Sequence, residues 1–302
     1  MAKKAKKKTI WLKLRYRLEY IFARPLVAGM HYLPLSVAYY AGRFIGWCAW
    51  KTASKRRAIV ARNLTVVNAH MGEAAAQLPL EQQVREVFLR SGANIACSFC
   101  FARMKPEKFK KHIKMEGLEH FKAALSQEKG VLILLAHMGP WEVLPYLPYL
   151  SEITSKLGAM YRPMNNEHFD AWFKSVREQR GTRLFSRKDG FNKPVDFLRS
   201  GGVIGVLADQ KMRQGVIAPF FGKDVPTNPL PGLFQRRAGS PAIVFSIKTS
   251  EPLKWLIKAF PVNYPDGKEN KTREKEAEIS NQAIEKALSE SPLDGFWVRD
   301  RF

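Results

Sequence analysis

The stretch Val131-Leu132-Ile133-Leu134-Leu135-Ala136-His137-Met138-Gly139-Pro140-Trp141-Glu142 decides how the rest of the chain is read. A short apolar run, opened by Gly130 and β-branched at Val131 and Ile133, leads straight into a histidine. That pattern predicts a strand buried on both faces, the parallel-sheet kind. Gly139-Pro140 predicts a turn, and Pro140 suits the first position of a helix beginning there. His137 then stands at the carboxyl end of a central strand, where open α/β sheets place their ligands. Glu142 follows in the first turn of that helix. On one continuous helix the two side chains lie apart, but a strand-turn-helix path brings them together. Glu142 then accepts a hydrogen bond from one ring nitrogen, fixing the tautomer and leaving the other nitrogen as a base. Such a pair without a nucleophile of its own suits deprotonation of a substrate hydroxyl. A helix-capping carboxylate beside a buried histidine is the structural alternative.

Working outward, residues 156–161 predict a short strand that Arg162-Pro163 closes, because a residue before proline is steered away from helix. Residues 203–208 repeat the buried-strand pattern and end in Asp209-Gln210. Three elements therefore deliver a polar residue at a strand's carboxyl end: His137, Arg162 and Asp209. Helical spacing appears over 78–102 (Leu80, Val84, Val87, Phe88, Ile95, Phe99), 117–127, 167–180, 193–199, 233–238 and 271–290. Residues 242–248 and 253–262 predict strands. Phe220-Phe221-Gly222 and the proline-rich 225–231 show no periodicity and are expected to form an irregular loop. The alternation predicts an α/β fold, with a central mostly parallel or mixed sheet flanked by helices, over residues 61–302. No internal repeat is present.

The chain has 302 residues, 46% of them apolar, which excludes a polytopic membrane protein. Its 50 Lys and Arg against 27 Asp and Glu give a formal charge of +23. That charge predicts attraction to nucleic acid, an acidic protein or an anionic membrane surface. Lys3, Lys4, Lys6, Lys7, Lys8, Lys13, Arg15 and Arg17 all precede the first acid, Glu19. Apolar and aromatic residues dominate positions 20–50, and Lys51, Lys55, Arg56, Arg57 and Arg62 follow. A further basic cluster runs from Arg103 to Lys114. The uncharged part, 25–42, is barely long enough to cross a bilayer and is divided by Pro34. Both flanks are basic, so a single crossing leaves one of them on the wrong side. A broken helical hairpin lying in the interface, with basic collars on anionic headgroups, fits residues 1–60 better. A helical pair packed on the protein's own core and a single anchor are the alternatives. No small-residue cleavage site marks an exported protein.

Other chemistries lack their signatures. There is no H-E-x-x-H, and His31, His70, His112, His120 and His168 are scattered, so no metal site is expected. No G-x-S-x-G elbow and no glycine-rich phosphate loop is present, and no cofactor is expected. Cys97 and Cys100 form a C-x-x-C on a helical pattern without a second pair, which reads as reduced core cysteines in a cytoplasmic setting. Nucleic-acid binding rests on charge alone.

Taken in order, these motifs resemble those of the bacterial lipid A biosynthesis acyltransferases, within the wider lysophospholipid and glycerol-phosphate acyltransferase superfamily with its His-x4-Asp/Glu signature. The resemblance runs through His137-Met138-Gly139-Pro140-Trp141-Glu142, Tyr161-Arg162-Pro163-Met164-Asn165-Asn166, Ala208-Asp209-Gln210, Pro219-Phe220-Phe221-Gly222 and Trp297-Val298-Arg299-Asp300-Arg301. It implies transfer of a fatty acyl chain from acyl carrier protein to a hydroxyl of a lipid A precursor, at the cytoplasmic face of the inner membrane. Under it His137 is the general base and Glu142 its orienting partner. Arg162 is a clamp for an acceptor phosphate or the oxyanion, and Asp209 positions Arg162 or the acceptor. Trp141 and Gln210 join them as substrate-binding residues. The implied partners are acyl carrier protein, a phosphorylated glycolipid and the anionic membrane. Met138 and Pro140 stand where family members often carry Phe and Asn, and Arg299 where many carry His; these departures bear on the acceptor. A different phosphorylated glycolipid, or a non-catalytic protein binding anionic lipid or nucleic acid, are the competing readings.

Overall fold

The computed structural model describes residues 10–72, 78–101, 104–151, 154–178, 181–265 and 272–302. Lys3 to Lys8 and Arg103 of the basic clusters lie outside the described residues. The chain enters through α1 (Ile10–Met30), α2 (Leu35–Thr52), α3 (Ser54–Met71) and α4 (Leu80–Phe101). Pro34 separates the first two: it stands just before α2, where its missing N–H is not needed, and its carbonyl accepts from Ala38 N at 3.0 Å. α3 runs without a break through position 60.

α2 has two apolar faces. Leu35, Ala38, Tyr39, Gly42 and Gly46 are buried on α4, while Val37, Tyr40, Phe44 and Trp47 form an exposed stripe at helical spacing. The contact with α4 is backbone on backbone: a Cβ on Gly42 would lie 2.5 Å from Gly92 O, and one on Gly46 would lie 2.3 Å from Phe88 O. Only glycine permits that approach. α1 carries a second outward stripe, Trp11, Leu14, Leu18 and Ile21, with Phe22 76% exposed. Contiguous exposed apolar surface of this kind marks an interaction site. Among the described residues no helix is long and apolar enough to cross a membrane.

Then follow α5 (Pro106–His112), β1 (Ile113–Glu116), α6 (Leu118–Leu125), β2 (Val131–Leu135), α7 (Leu147–Ser151), β3 (Leu157–Tyr161), α8 (Glu167–Glu178), β4 (Arg183–Ser186), α9 (Asn192–Arg199) and β5 (Val203–Leu207). The chain closes with β6 (Val216–Phe220), β7 (Lys223–Thr227), α10 (Leu230–Ala238), β8 (Ala242–Glu251), β9 (Lys254–Val262) and α11 (Arg273–Ser289). Seven strands form one sheet in the order β1-β9-β8-β2-β5-β3-β4. β8, β2, β5, β3 and β4 run parallel to one another, and β9 reverses the direction as the return arm of a hairpin with β8. The sheet is thus mixed but mostly parallel, with helices against it, as the patterning predicted. β2 is the middle strand, and all five of its residues are buried. Fully burying an aliphatic side chain contributes about 1.5–3 kcal/mol, so this strand anchors the core.

Two elements depart from expectation. Residues 216–227, read in part as an irregular loop, form the β6–β7 hairpin, a separate two-stranded sheet. Pro219 and Pro226 hide the strand signal, and a two-stranded pair tolerates prolines because each strand has a free edge. The helix expected from Pro140 is a 3-10 helix over Trp141–Tyr146, with Pro145 inside it, leading into α7.

Candidate active site

The site is set by strand register. Leu135 of β2 pairs with Leu207 of β5, and the next backbone bond, Ala208 N to Leu135 O at 3.0 Å, holds the two strand ends level. His137 and Asp209 each stand two residues beyond that pair. Neighbouring strands lie about 4.8 Å apart, so equal offsets on adjacent strands place the two side chains against each other. His137 Nδ1 and Asp209 Oδ1 are 2.7 Å apart, with side chains 20% and 10% exposed. Nδ1 donates its proton to the carboxylate, which leaves Nε2 as the unprotonated nitrogen. The side-chain amide of Gln210 lies 3.3 Å from the same Nδ1.

The carboxylate that orients His137 is therefore Asp209, and the expected His137–Glu142 bond is replaced by another. Glu142 is held by Arg177 of α8, with Nε on Oε2 at 3.0 Å and the guanidinium on Oε1 at 2.5 Å. The physical reason is the tight 3-10 turn after Pro140, which carries Glu142 toward α8. Its charge still reaches the histidine. Burial pushes the His137 pKa down, but the charge and hydrogen bond of Asp209, followed by the charge of Glu142, outweigh it, and the net displacement is upward. Asp209 moves the opposite way: burial raises its pKa, and His137 more than reverses this, holding the carboxyl below its ordinary value.

The turn that carries His137 is buttressed from behind. Gly139 has φ +53°, and a Cβ there would lie 2.4 Å from Ile247 O, so no other residue fits. Gly139 N donates to Asp294 O at 3.0 Å, and Phe296 N donates to His137 O at 2.8 Å. Asp294, its side chain fully buried, accepts from Arg90 (2.9 Å), Asn94 (3.2 Å), Ser291 (2.6 Å), and the backbone N and hydroxyl of Thr249 (3.0 and 2.6 Å). One carboxylate thus ties α4, β8 and the C-terminal segment behind the histidine. Trp141 and Phe296 cover the ring itself, with centroids 5.3 and 6.5 Å from the His137 centroid.

The C-terminal segment is the part of the site that residue patterns did not reveal. Arg299 and Arg301 line a small cavity with Asp209, Gln210 and Phe296. Arg299 is exposed, and its positive charge opposes protonation of His137. Arg301 is 3% exposed; its guanidinium reaches Pro226 O (3.1 Å) and Asn281 Oδ1 (3.3 Å) and lies over the Phe220 ring at 4.3 Å. Burial pulls its pKa down to about 10, against the opposing charges of Asp209 and Glu285. Its Nε has no partner among the described residues. The only sequence signal for this wall was the family-like ending Trp297 to Arg301.

Arg162 sits one residue past β3, exposed, with no side-chain hydrogen bond or ion pair among the described residues, and its charge acts on Arg187. The structure therefore brings together His137, Asp209, Gln210 and Trp141, and sets Arg162 and Glu142 apart from the histidine's own hydrogen bonds. Among the described residues no cluster of three or more His, Cys, Asp or Glu is arranged to hold a metal. Cys97 and Cys100 lie buried in α4 as free thiols, both pushed up by burial, Cys100 to about 11. They take no part in the site. A hydroxyl brought to Nε2 would lose its proton to the imidazole, with Asp209 stabilising the imidazolium that forms.

Residues 4–302 match the bacterial lipid A biosynthesis acyltransferase family. Similar curated proteins include lipid A biosynthesis acyltransferase 2 of Shigella flexneri, 27% identical over 70% of this chain and 66% of its own length. The lipid A biosynthesis myristoyltransferase of Escherichia coli is 29% identical over 56% of this chain and 49% of its own. The palmitoleoyltransferase of the same organism is 24% identical over 89% of this chain and 86% of its own. For the first two of these, the matched part covers less than two thirds of the relative.

Proposed function

The chain belongs to the bacterial lipid A biosynthesis acyltransferase family, and on that premise we propose that it transfers a fatty acyl chain from acyl carrier protein to a hydroxyl of a lipid A precursor. The observation that carries this reading is the 2.7 Å bond between His137 Nδ1 and Asp209 at the carboxyl ends of adjacent central strands. It leaves Nε2 as a base where open sheets bind their substrates. The acceptor hydroxyl gives its proton to Nε2, and its oxygen attacks the thioester carbonyl. The tetrahedral oxyanion collapses with loss of the carrier thiolate, which takes the proton from the imidazolium. No acyl-enzyme forms, in keeping with the inert, buried Cys97 and Cys100. Trp141 and Phe296 exclude water from one side of the imidazole. Arg162 and Arg299 supply positive charge toward a phosphorylated acceptor or the carrier.

The reading extends to the membrane. The exposed stripes of α1 and α2, beside Lys13, Arg15, Arg17, Lys51 and Lys55, suit the headgroup layer of an anionic inner membrane at its cytoplasmic face. Seated there, the protein meets its lipid acceptor in the bilayer and its acidic carrier in solution. The test is acyl transfer by the purified full chain from acyl carrier thioester to a phosphorylated glycolipid. Turnover is expected from the unmodified protein and is lost in His137→Ala. Full activity in that variant refutes the mechanism, and no transfer by the unmodified protein refutes the function, favouring a non-catalytic protein for anionic lipid.

A further inference from the structure

Arg301 is the one buried arginine or lysine among the described residues, and it makes no ion pair there. The β6–β7 hairpin and α11 hold its guanidinium with neutral acceptors: Pro226 O at 3.1 Å, Thr227 Oγ1 at 3.4 Å and Asn281 Oδ1 at 3.3 Å. Its Nε, equally buried, is left out of these bonds. Burying a cation on neutral partners is costly, and fastening a chain end does not require a charge. The acids that act on this charge are Asp209 and then Glu285 of α11. Arg301 and Asp209 line one cavity of about 10 Å³, room for no more than about one water. With so little solvent in it, the attraction between the two charges is weakly screened. The other charges around the histidine are Glu142, held by Arg177, and the exposed Arg299. Glu285 also faces His70 of α3 at 3.9 Å, and Asp300, on the cavity wall, is paired with Arg62.

We propose that Arg301 is a positioning residue for the reaction: its buried charge holds Asp209 as the carboxylate and balances it, so that His137 rests neutral and able to act as base. The role rests on the function proposed above. A buried acid tends to take up a proton, and a protonated Asp209 neither accepts from Nδ1–H nor stabilises the imidazolium. A buried carboxylate with no cation near it has the opposite fault, because it charges the imidazole before the substrate arrives. Arg301 counters both, opposing protonation of Asp209 and tempering the pull of Asp209 on the ring. It does so without touching substrate. The competing account is that Arg301 only fastens the chain end to the hairpin, which needs its bonds and not its charge.

The test compares the unmodified full chain with Arg301→Gln and Arg301→Lys. Both substitutions remove the forked contact with the hairpin and α11, and only lysine keeps the charge. Two quantities are followed against pH: kcat/KM for acyl transfer, and the His137 titration by imidazole NMR, assigned by its loss in His137→Ala. In Arg301→Gln the titration and the acid limb of the rate profile are expected to move up by about one pH unit. kcat/KM then falls about tenfold below the limb and little above it. Arg301→Lys should bring both most of the way back. Two variants that behave alike, with His137 titrating where it does in the unmodified protein, overturn the role and leave Arg301 a tether. Should Arg301→Gln fail to fold, Glu285→Gln supplies the opposite sign. It keeps the bonds of Arg301 and leaves the guanidinium's charge to Asp209, so His137 should titrate at lower pH. A titration that stays in place or rises in that variant also overturns the proposal. The expected NMR shifts in a protein that transfers no acyl chain leave the charge coupling standing and refute the reaction proposed above.

Discussion

Glu142 is gripped through both carboxylate oxygens by Arg177, while His137 turns its Nδ1 to Asp209. The two acids near the histidine thus have different jobs. Asp209 fixes the tautomer, and Glu142 neutralises an arginine of α8 and adds a more distant negative charge. Asp209→Ala is expected to lower kcat/KM by about 10²–10⁴-fold, the scale of losing oriented general-base catalysis. Glu142→Gln should cost much less. Equal losses in steady-state assays of both variants would contradict this division.

The direction of the His137 shift fixes the pH profile. The proposed base, His137, must be neutral to act, and its pKa is raised, so activity is expected to fall as pH drops through a value above the ordinary histidine pKa of about 6.5. Asp209→Asn removes the larger raising influence and moves that acid limb to lower pH. Glu142→Gln moves it the same way by less. A limb that stays in place in Asp209→Asn separates His137 from the titration. For stability the sign is opposite: the His137–Asp209 pair stabilises most while the histidine is charged, below its unfolded pKa, and that share is lost as pH rises through the folded value.

Asp294 plays a structural part behind the proposed catalytic pair. Asp294→Ala leaves the partly buried Arg90 with only its longer 3.7 Å contact to Glu86 and frees Thr249 and Ser291. Breaking such a pair destabilises by about 3–5 kcal/mol, visible as a lower urea midpoint. Adding Arg90→Met to Asp294→Ala should recover part of the loss, and its failure to do so would assign the effect to the hydroxyl partners.

The membrane-facing reading predicts a surface phenotype without a folding phenotype. Phe44→Glu and Trp47→Glu replace exposed residues on α2, so thermal unfolding should stay within a few degrees. Sedimentation with vesicles containing anionic lipid should drop about tenfold or more per substitution, since each ring withdrawn from the interface forfeits about 1.5–3 kcal/mol. Undiminished sedimentation would turn attention to α1 or to basic residues alone.

The centre of the fold was legible because buried parallel strands write themselves as unbroken apolar runs: β2 and β5 were both visible, and so were the polar residues just past their ends. Which of those residues touch was not legible. His137 and Asp209 are 72 positions apart, and strand register, rather than local spacing, joins them; Glu142 was nearer in sequence and looked the better partner. Arg177 was hidden for a similar reason, within a helix whose face patterning only shows as amphipathic. The β6–β7 hairpin was masked by its prolines. Asp294 carries no signature at all, because an acid whose bonds go to the distant α4 and β8 as well as to nearby Ser291 resembles any surface acid until the chain is folded.

The glycine contact between α2 and α4 has a geometric consequence. With Gly42, Gly46 and Gly92 leaving no layer of side chains between the two backbones, α2 has no cushion on which to slide or roll. α4 in turn is bonded through Arg90 and Asn94 to the aspartate behind the histidine turn. The outward aromatic stripe and the imidazole therefore belong to one stiff frame. In the proposed orientation the height of the imidazole above the lipid is a built-in dimension, and it is the acceptor that must rise out of the leaflet to meet it.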